Sequence, residues 1–367
     1  MTMNIVHVIE SLEFGGAEKV TIQLATGCAH LHRVAICTTK RCGELSHGVD
    51  SRVKLIHLNG KEGNDPSVIK QLVAVFKKNK PDIVHIHNWG VYVEAVIAAR
   101  LAGIKSIVVT IHGPYRAYPD TTIDRFKKLI RQRAEFLLSH FVSSFIAVSA
   151  SVKDYVVRDI GINQNKVQII RNGVSALADN EYTHSHDNQE LNLISIGRVA
   201  SIKNHKFMLN GFKQAIDAPL SVKLTIVGDG PELASIKQYA SELGIDNFVN
   251  FTGFRTDIDQ ILADKDVFIM TSNYEGISIA MLEAMRHGLP VIATNVGGIP
   301  EMGINKVTGI LVEPNDVTAL ADAIQYMANN KQERLDMGSR SYRHFMNEFN
   351  ESAVIEKYLK TYTDAIA

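Results

Sequence analysis

Short apolar runs recur along this chain, and between them apolar positions return every three or four residues. In the N-terminal half the runs are NIVHVIE (4–10), RVAICTT (33–39), DIVHIHN (82–88), SIVVTIH (106–112) and FIAVS (145–149), with KVQIIRNGV (166–174) as a last strand and its exit. Strands that are apolar on both faces must be covered on both faces, and intervening helices argue for a parallel sheet. The C-terminal half repeats the pattern in LNLISIGR (191–198), KLTIVGDG (223–230), NFVNFTGF (247–254), DVFIMTS (266–272), LPVIATN (289–295) and GILVEP (309–314). Between the halves, ADNEYTHSHDNQE (178–190) is polar and reads as a linker. The expected fold is α/β, with two doubly wound parallel-sheet (Rossmann-like) domains facing a central cleft. Bounds are expected at 1–178 for the first domain, 179–190 for the linker, 191–345 for the second domain and 346–367 for a closing helix.

At 367 residues the chain is long for one core, which agrees with two domains. A hydrophobic content of 46% and a charged content of 21% are those of an ordinary globular protein. Three cysteines, Cys28, Cys37 and Cys42, match no metal spacing and suggest no disulfide framework, so a reducing cytoplasm is the expected compartment. The N-terminus lacks the basic start and long apolar core of a signal peptide. The longest candidate for a membrane span, Phe136–Val152, contains His140 and reads as a helix end followed by a strand. Net charge is zero, yet residues 1–178 hold 23 Lys and Arg against 14 Asp and Glu, a balance of +9, and the remainder holds −9. No aromatic-interleaved basic motif accompanies that asymmetry, so nucleic acid is not expected as a partner.

Chemistry concentrates in EGISIAMLEAMRHGLPVIATNVGGIPE (275–301). A loop leads into a helix from about Ile279, which is expected to stop at Gly288 before Pro290. Glu275 lies in the loop and Glu283 on the helix, with seven residues between them. Parallel β/α units bind ligands at the carboxyl ends of their strands. The amides of Ile277, Ser278 and Ile279 at the helix start suit an anion such as phosphate. Arg198 and Lys203 follow another strand, five apart, where two cations could clamp a diphosphate. Gly15-Gly16 precedes the first helix and lets backbone approach a ligand closely. The third glycine of a dinucleotide fingerprint is absent there, and absent again in GDGP (228–231), which disfavours a NAD enzyme. His112 closes a strand, whereas His85 and His87 read as structural. Asp257 and Asp259 are spaced like a metal-binding Asp-x-Asp but open a helix, so they are expected to cap it.

The glutamate pair in this setting resembles the retaining GT-B glycosyltransferases of family 4, and the resemblance covers nearly the whole chain. It implies a nucleotide-sugar donor, with Glu275 at the sugar and Glu283 on the ribose hydroxyls. The diphosphate would be held by the amides of Ile277, Ser278 and Ile279 and by Arg198 and Lys203. Gly16 would approach the donor phosphate or the acceptor, and the His112 imidazole would lie close to the transferred sugar. Asn172-Gly173-Val174 matches a family turn between domains, and the closing helix often crosses back to the N-terminal, acceptor-side domain. The resemblance implies transfer of a hexosyl unit without a metal or other cofactor, the leaving phosphate taking the acceptor's proton. A UDP-sugar is favoured as donor, with GDP-mannose next. The acceptor would be a saccharide or lipid-linked saccharide in cell-surface polysaccharide or lipopolysaccharide synthesis. A nucleotide-sugar epimerase of the same fold, a phosphorylase (for which no pyridoxal phosphate lysine motif is seen) and a non-catalytic nucleotide-sugar-binding subunit remain as alternatives.

One further stretch bears on the acceptor. Residues 125–133, RFKKLIRQR, are the densest basic run. On a helical wheel Phe126, Leu129, Ile130, Phe136, Leu137 and Phe141 share one face, and Lys127, Lys128, Arg131 and Gln132 share the other with Glu135. Arg133 falls on the apolar side. The expectation is a helix that covers the sheet with its apolar face and offers its basic face to solvent or to an anionic membrane surface at the inner face of the cytoplasmic membrane.

Overall fold

The computed structural model describes residues 2–13, 15–58, 60–61, 65–113, 122–177, 190–217 and 220–366, with backbone alone for 122–128. The chain divides into two compact units, residues 1–173 with 351–367, and residues 174–350.

The first unit alternates strands and helices: β1 (Asn4–Ile9), α1 (Gly16–Cys28), β2 (Arg33–Thr38), β3 (Lys54–His57), α2 (Ser67–Asn79), β4 (Ile83–His87), α3 (Tyr92–Leu101), β5 (Ile107–Ile111), α4 (Thr122–Leu138), β6 (Ser144–Ala147), α5 (Ala150–Asp154) and β7 (Val167–Ile169). Its sheet has the order β3-β2-β1-β4-β5-β6-β7, and every pairing is parallel. The helices form as their spacing requires. In α2, Val68, Leu72 and Phe76 return every fourth residue and are buried, and Lys80 ends the helix in the left-handed region at φ 45. The strand β3 is absent from the sequence reading, because its residues run exposed, intermediate, intermediate, exposed at the sheet edge and show no apolar run.

The second unit comprises β8 (Leu191–Ile196), α6 (His205–Ile216), β9 (Val222–Val227), α7 (Leu233–Glu242), β10 (Val249–Gly253), α8 (Ile258–Ala263), β11 (Val267–Met270), α9 (Ile279–Arg286), β12 (Val291–Thr294), α10 (Ile299–Met302), β13 (Gly309–Val312), α11 (Val317–Asn329) and α12 (Lys331–Glu348). The sheet order is β10-β9-β8-β11-β12-β13, again parallel throughout. The closing helix α13 (Glu351–Ile366) belongs to the first unit, where Val354, Tyr358 and Tyr362 join its core beside Ile5, Leu24 and Ile146. In each sheet the strand order reverses once, between β1 and β4 and between β8 and β11. At such a switch point adjacent loops diverge and leave a crevice for a ligand.

Candidate active site

In the second unit the switch-point loops carry the charged residues. Gly197 and Arg198 leave β8; Arg198 is exposed and has no ion pair among the described residues. A single 3-10 turn, Ser201–Lys203, then brings the Lys203 ammonium to Glu275, with Nζ 2.5 Å from Oε1. The same carboxylate oxygen accepts a hydrogen bond from the Ser272 hydroxyl at 2.7 Å. Glu275 is only 7% exposed, so this oxygen has exchanged water for two protein donors, one of them charged. The structure therefore brings together two residues 72 positions apart that sequence could only place on separate loops.

Backbone contacts hold both partners. Asn204, left-handed at φ 50, accepts from the Phe207 N–H to cap α6 and donates to Asn273 and Asn315, each at 3.0 Å. The Thr271 hydroxyl donates to the Lys203 carbonyl. On the other side, Gly298 N–H donates to the Glu275 carbonyl at 2.9 Å. Gly297, at φ 55, passes so close to that carbonyl that a Cβ would collide with it, so only glycine fits. The next helix, α9, starts at Ile279 with Ser278 as its N-cap, the Ser278 hydroxyl accepting from Met281 N–H. Ile277, Ser278, Ile279 and Glu283 are all buried, and α9 ends at His287 before Gly288 at φ 66, as its sequence predicts.

In the first unit the candidate residues are glycines, a carboxyl raised by burial and a neutral imidazole. Gly15, extended, precedes α1, whose first residue Gly16 is exposed and whose N-terminus has no side-chain cap. The Glu18 carboxylate folds back over Gly15, where a Cβ would collide with it. Burial, with Glu10 and Glu13 adding repulsion, pushes the Glu18 carboxyl up to about 7. His112 follows β5 and donates its backbone N–H to the Asn88 side chain at 3.1 Å. The residue is half-buried, and both ring nitrogens are enclosed with no hydrogen-bond partner among the described residues. Desolvation lowers the His112 imidazole to about 4, so it is neutral at pH 7.

Three more imidazoles are stacked behind it, fully buried: His7, His85 and His87. His7 Nδ1 lies 3.0 Å from His87 Nε2, while His85 bonds Tyr362 of α13 through Nδ1 and Thr110 through Nε2, each at 2.7 Å. Ligand-capable nitrogens of all three lie within 4.8 Å of one another. Both nitrogens of His85 and the facing pair of His7 and His87 are committed to protein partners, while His7 Nε2 and His87 Nδ1 are buried with none among the described residues.

Two expectations are corrected. Asp257 precedes α8 but makes no capping hydrogen bond; it pairs with Arg255. Asp259 pairs with Arg286 and with His287, 2.8 Å away, at the end of α9, and these partners hold its carboxyl below the usual range. The acids serve ion pairs in place of a cap. The wheel of α4 is also turned over. Glu135 is buried and paired with a half-buried Arg131 at 2.8 Å, which also donates to the Trp89 carbonyl, while Leu129, Ile130, Phe136, Leu137 and Phe141 are exposed. Arg131 and Glu135 satisfy each other inside, and that lets the polar side face the protein. Arg133 is exposed; the side chains of Phe126, Lys127 and Lys128 lie outside the described residues.

Comparison with known proteins agrees with this architecture. Residues 14–176 match Glycosyltransferase Family 4 and residues 180–344 match Glycosyl transferases group 1. Among relatives, the UDP-Gal:alpha-D-GlcNAc-diphosphoundecaprenol alpha-1,3-galactosyltransferase of Escherichia coli is 29% identical over 315 residues, covering 81% of this chain and 80% of that protein. The O-antigen chain mannosyltransferase C of Escherichia coli is 26% identical, with 98% of each chain covered. The crystal structure of Anabaena Alr3699/HepE in complex with UDP and glucose superposes with a TM-score of 0.83 at 21% identity, over 98% of this chain and 99% of that one. The fold is thus GT-B, the two-sheet architecture of a large class of glycosyltransferases. The chain belongs to the family 4 type of GT-B glycosyltransferases and is an enzyme of that class.

Proposed function

We propose that this enzyme moves a hexosyl unit from a nucleotide sugar, a UDP-sugar foremost and GDP-mannose next, to a saccharide or lipid-linked saccharide acceptor in surface-polysaccharide synthesis, with retention and without a metal. The observation that carries this reading is the Lys203–Glu275 pair at the β8/β11 switch point, with Arg198 uncommitted in the same loop. Arg198, Lys203 and the amides of Ile277 to Ile279 supply positive charge for a leaving diphosphate. Glu275 is assigned to the sugar, and Glu283 on α9 to the ribose hydroxyls. Gly16 and the neutral His112 are assigned to the donor phosphate and the transferred sugar from the first unit. The relatives' names, one a UDP-Gal enzyme and one acting on an O-antigen chain, favour the donor order and the pathway class.

The galactosyltransferase relative acts on a diphosphoundecaprenol, which favours a lipid-linked acceptor here and peripheral contact with a membrane. Among the described residues no helix is long and apolar enough to cross a membrane. With Arg131 turned inward, that contact is assigned to the exposed apolar face of α4 flanked by Arg133.

The test combines a donor screen with chelation. One nucleotide sugar should raise the melting temperature and then be turned over fully in EDTA with a lipid-linked or saccharide acceptor. Isomerised sugar without transfer would favour the epimerase, and binding without turnover the silent subunit. A strict need for magnesium or manganese would remove the metal-independent mechanism.

A further inference from the structure

A cluster outside the sugar-nucleotide machinery has the arrangement of an activated thiol. The strand pairing β2/β3 sets Thr38 opposite His57, and the loop after β2 carries Cys42 back toward them. His57 Nδ1 lies 2.8 Å from the buried Thr38 hydroxyl, and His57 Nε2 lies 3.0 Å from Cys42 Sγ. A nucleophile bonded to a base, itself bonded to an orienting third group, is the arrangement that activates cysteine. Cys42 is partly exposed, whereas Cys28 and Cys37 are buried with thiols pushed up to about 12 by desolvation. The neighbouring cations have carboxylate partners, Lys40 with Glu10 at 2.6 Å and Arg41 with Glu13 at 3.1 Å, which leaves the imidazole as the group that meets the thiol.

We propose that Cys42 is a site of reversible thiol–disulfide exchange with small disulfides, with His57 as its base and Thr38 fixing the tautomer. With Nδ1–H donated to Thr38, the Nε2 lone pair takes the Cys42 proton. The thiolate then attacks one sulfur of the disulfide, a new S–S bond forms, the old one breaks, and the departing thiolate takes the proton from His57. A small thiol reverses each step. The adduct would press on a specific place. Leu12 N–H donates to the Cys42 carbonyl at 3.2 Å, Leu45 N–H donates to the Leu12 carbonyl at 2.9 Å, and Gly43, at φ 80, leaves no room for a Cβ beside the Leu12–Glu13 backbone. That segment leads directly to Gly15 and Gly16.

The aromatic disulfide 5,5′-dithiobis(2-nitrobenzoate), applied to the native full chain, reads the reaction by the colour of its released thiolate. One thiol should react fast, and Cys42→Ser should abolish that phase. At pH 6, His57→Gln should slow it about tenfold, and at pH 9, where an ordinary thiol is already ionised, the variant should match the wild type. Mass mapping of the wild-type adduct should place the fast-reacting label on Cys42, a measurement that needs no variant. A wild-type label that maps elsewhere, a fast phase that survives Cys42→Ser, or a His57→Gln rate equal to the wild-type rate at both pH values would overturn the assignment.

Discussion

The two switch points share a sheet topology and differ in the groups gathered around them. At β8/β11 the loops carry formal charges, Arg198 in solvent and Lys203 against a nearly buried Glu275, and glycine and asparagine contacts hold the backbone. At β1/β4 the residues beneath are imidazoles, enclosed and neutral; His85 is tied to the hydroxyls of Tyr362 and Thr110, Thr110 in turn meets the Tyr358 hydroxyl, and His7 faces His87. A charged loop can meet a diphosphate by exchanging one ion pair for another. Enclosed neutral rings cannot gain charge without losing their packing, so they stay fixed and uncharged. The contrast lies beneath the loops: neutral rings in the first unit, where Lys40 is paired with Glu10 and Arg41 with Glu13, against a charged pair with the exposed Arg198 beside it in the second.

The strongest test of that division is a split in kinetics. Glu275→Ala and His112→Ala should lower kcat about 10²–10³-fold, the scale of removing one preorganised group facing developing charge, with nucleotide affinity little changed. Arg198→Ala and Lys203→Ala should do the reverse, weakening donor binding roughly ten- to a hundredfold, because a hydrogen bond to a charged group contributes about 1.5–3 kcal/mol. Lys203→Ala also strips Glu275 of its cation, so the Lys203/Glu275 double variant should fall short of the sum of the singles. Isothermal titration with the free nucleotide beside steady-state rates measures both halves, and additive effects would argue that the two residues act apart.

Acid should separate the units next. His7 is held at about 3 and His112 at about 4, and His85 and His87 lie well below the ordinary imidazole value, all by burial. Above about pH 6.5 both folded and unfolded chains keep these rings neutral. Below it the unfolded chain binds protons that the fold refuses, so stability falls as pH falls, by up to about 1.4 kcal/mol per pH unit for each ring. Four rings give a limiting slope of roughly 5 kcal/mol per pH unit, and the Glu18 carboxyl, raised to about 7, offsets at most about one ring's share of it between about pH 7 and 4.5. In the second unit His205 is such a ring, at about 4, and Asp259 is lowered, a contribution lost only at lower pH. Trp89, the single tryptophan and buried in the first unit, reports there alone. Its fluorescence should change between pH 6 and 4 while amides of the second sheet stay protected from exchange; a Trp89 transition only below pH 4 would mean that the rings are hydrated.

Much of this was legible in the sequence. Parallel strands covered on both faces are contiguous apolar runs, so both sheets could be read, and β3 escaped because an edge strand needs apolar residues on fewer sides. The residues of the charged site could be named from motif and strand-end position, but their pairing could not. Contacts such as Lys203–Glu275 and Asp259–Arg286 join distant loops, and no local pattern reports them. The α4 wheel shows the limit most plainly. Amphipathicity says that a helix has two faces, and only the packed structure says which one is inside. There a single buried pair, Arg131–Glu135, outweighed the ordinary preference.

That reversal sets the smallest expected effect. An exposed apolar face should bind membrane by burial, with each side chain that leaves water contributing on the order of 1 kcal/mol when partly inserted. A basic residue near an anionic surface contributes about 1 kcal/mol as well, but is screened by salt. Arg133 is the described basic side chain exposed in the run, so the apolar share should dominate. On vesicles containing anionic lipid, Leu129→Gln with Ile130→Gln and Leu137→Gln should reduce flotation about tenfold or more, by those same increments. Arg133→Gln should reduce it only a few fold, and raised salt no more than that. Binding that vanishes in salt and ignores the triple glutamine change would return the contact to electrostatics, and with it to the side chains at 127 and 128.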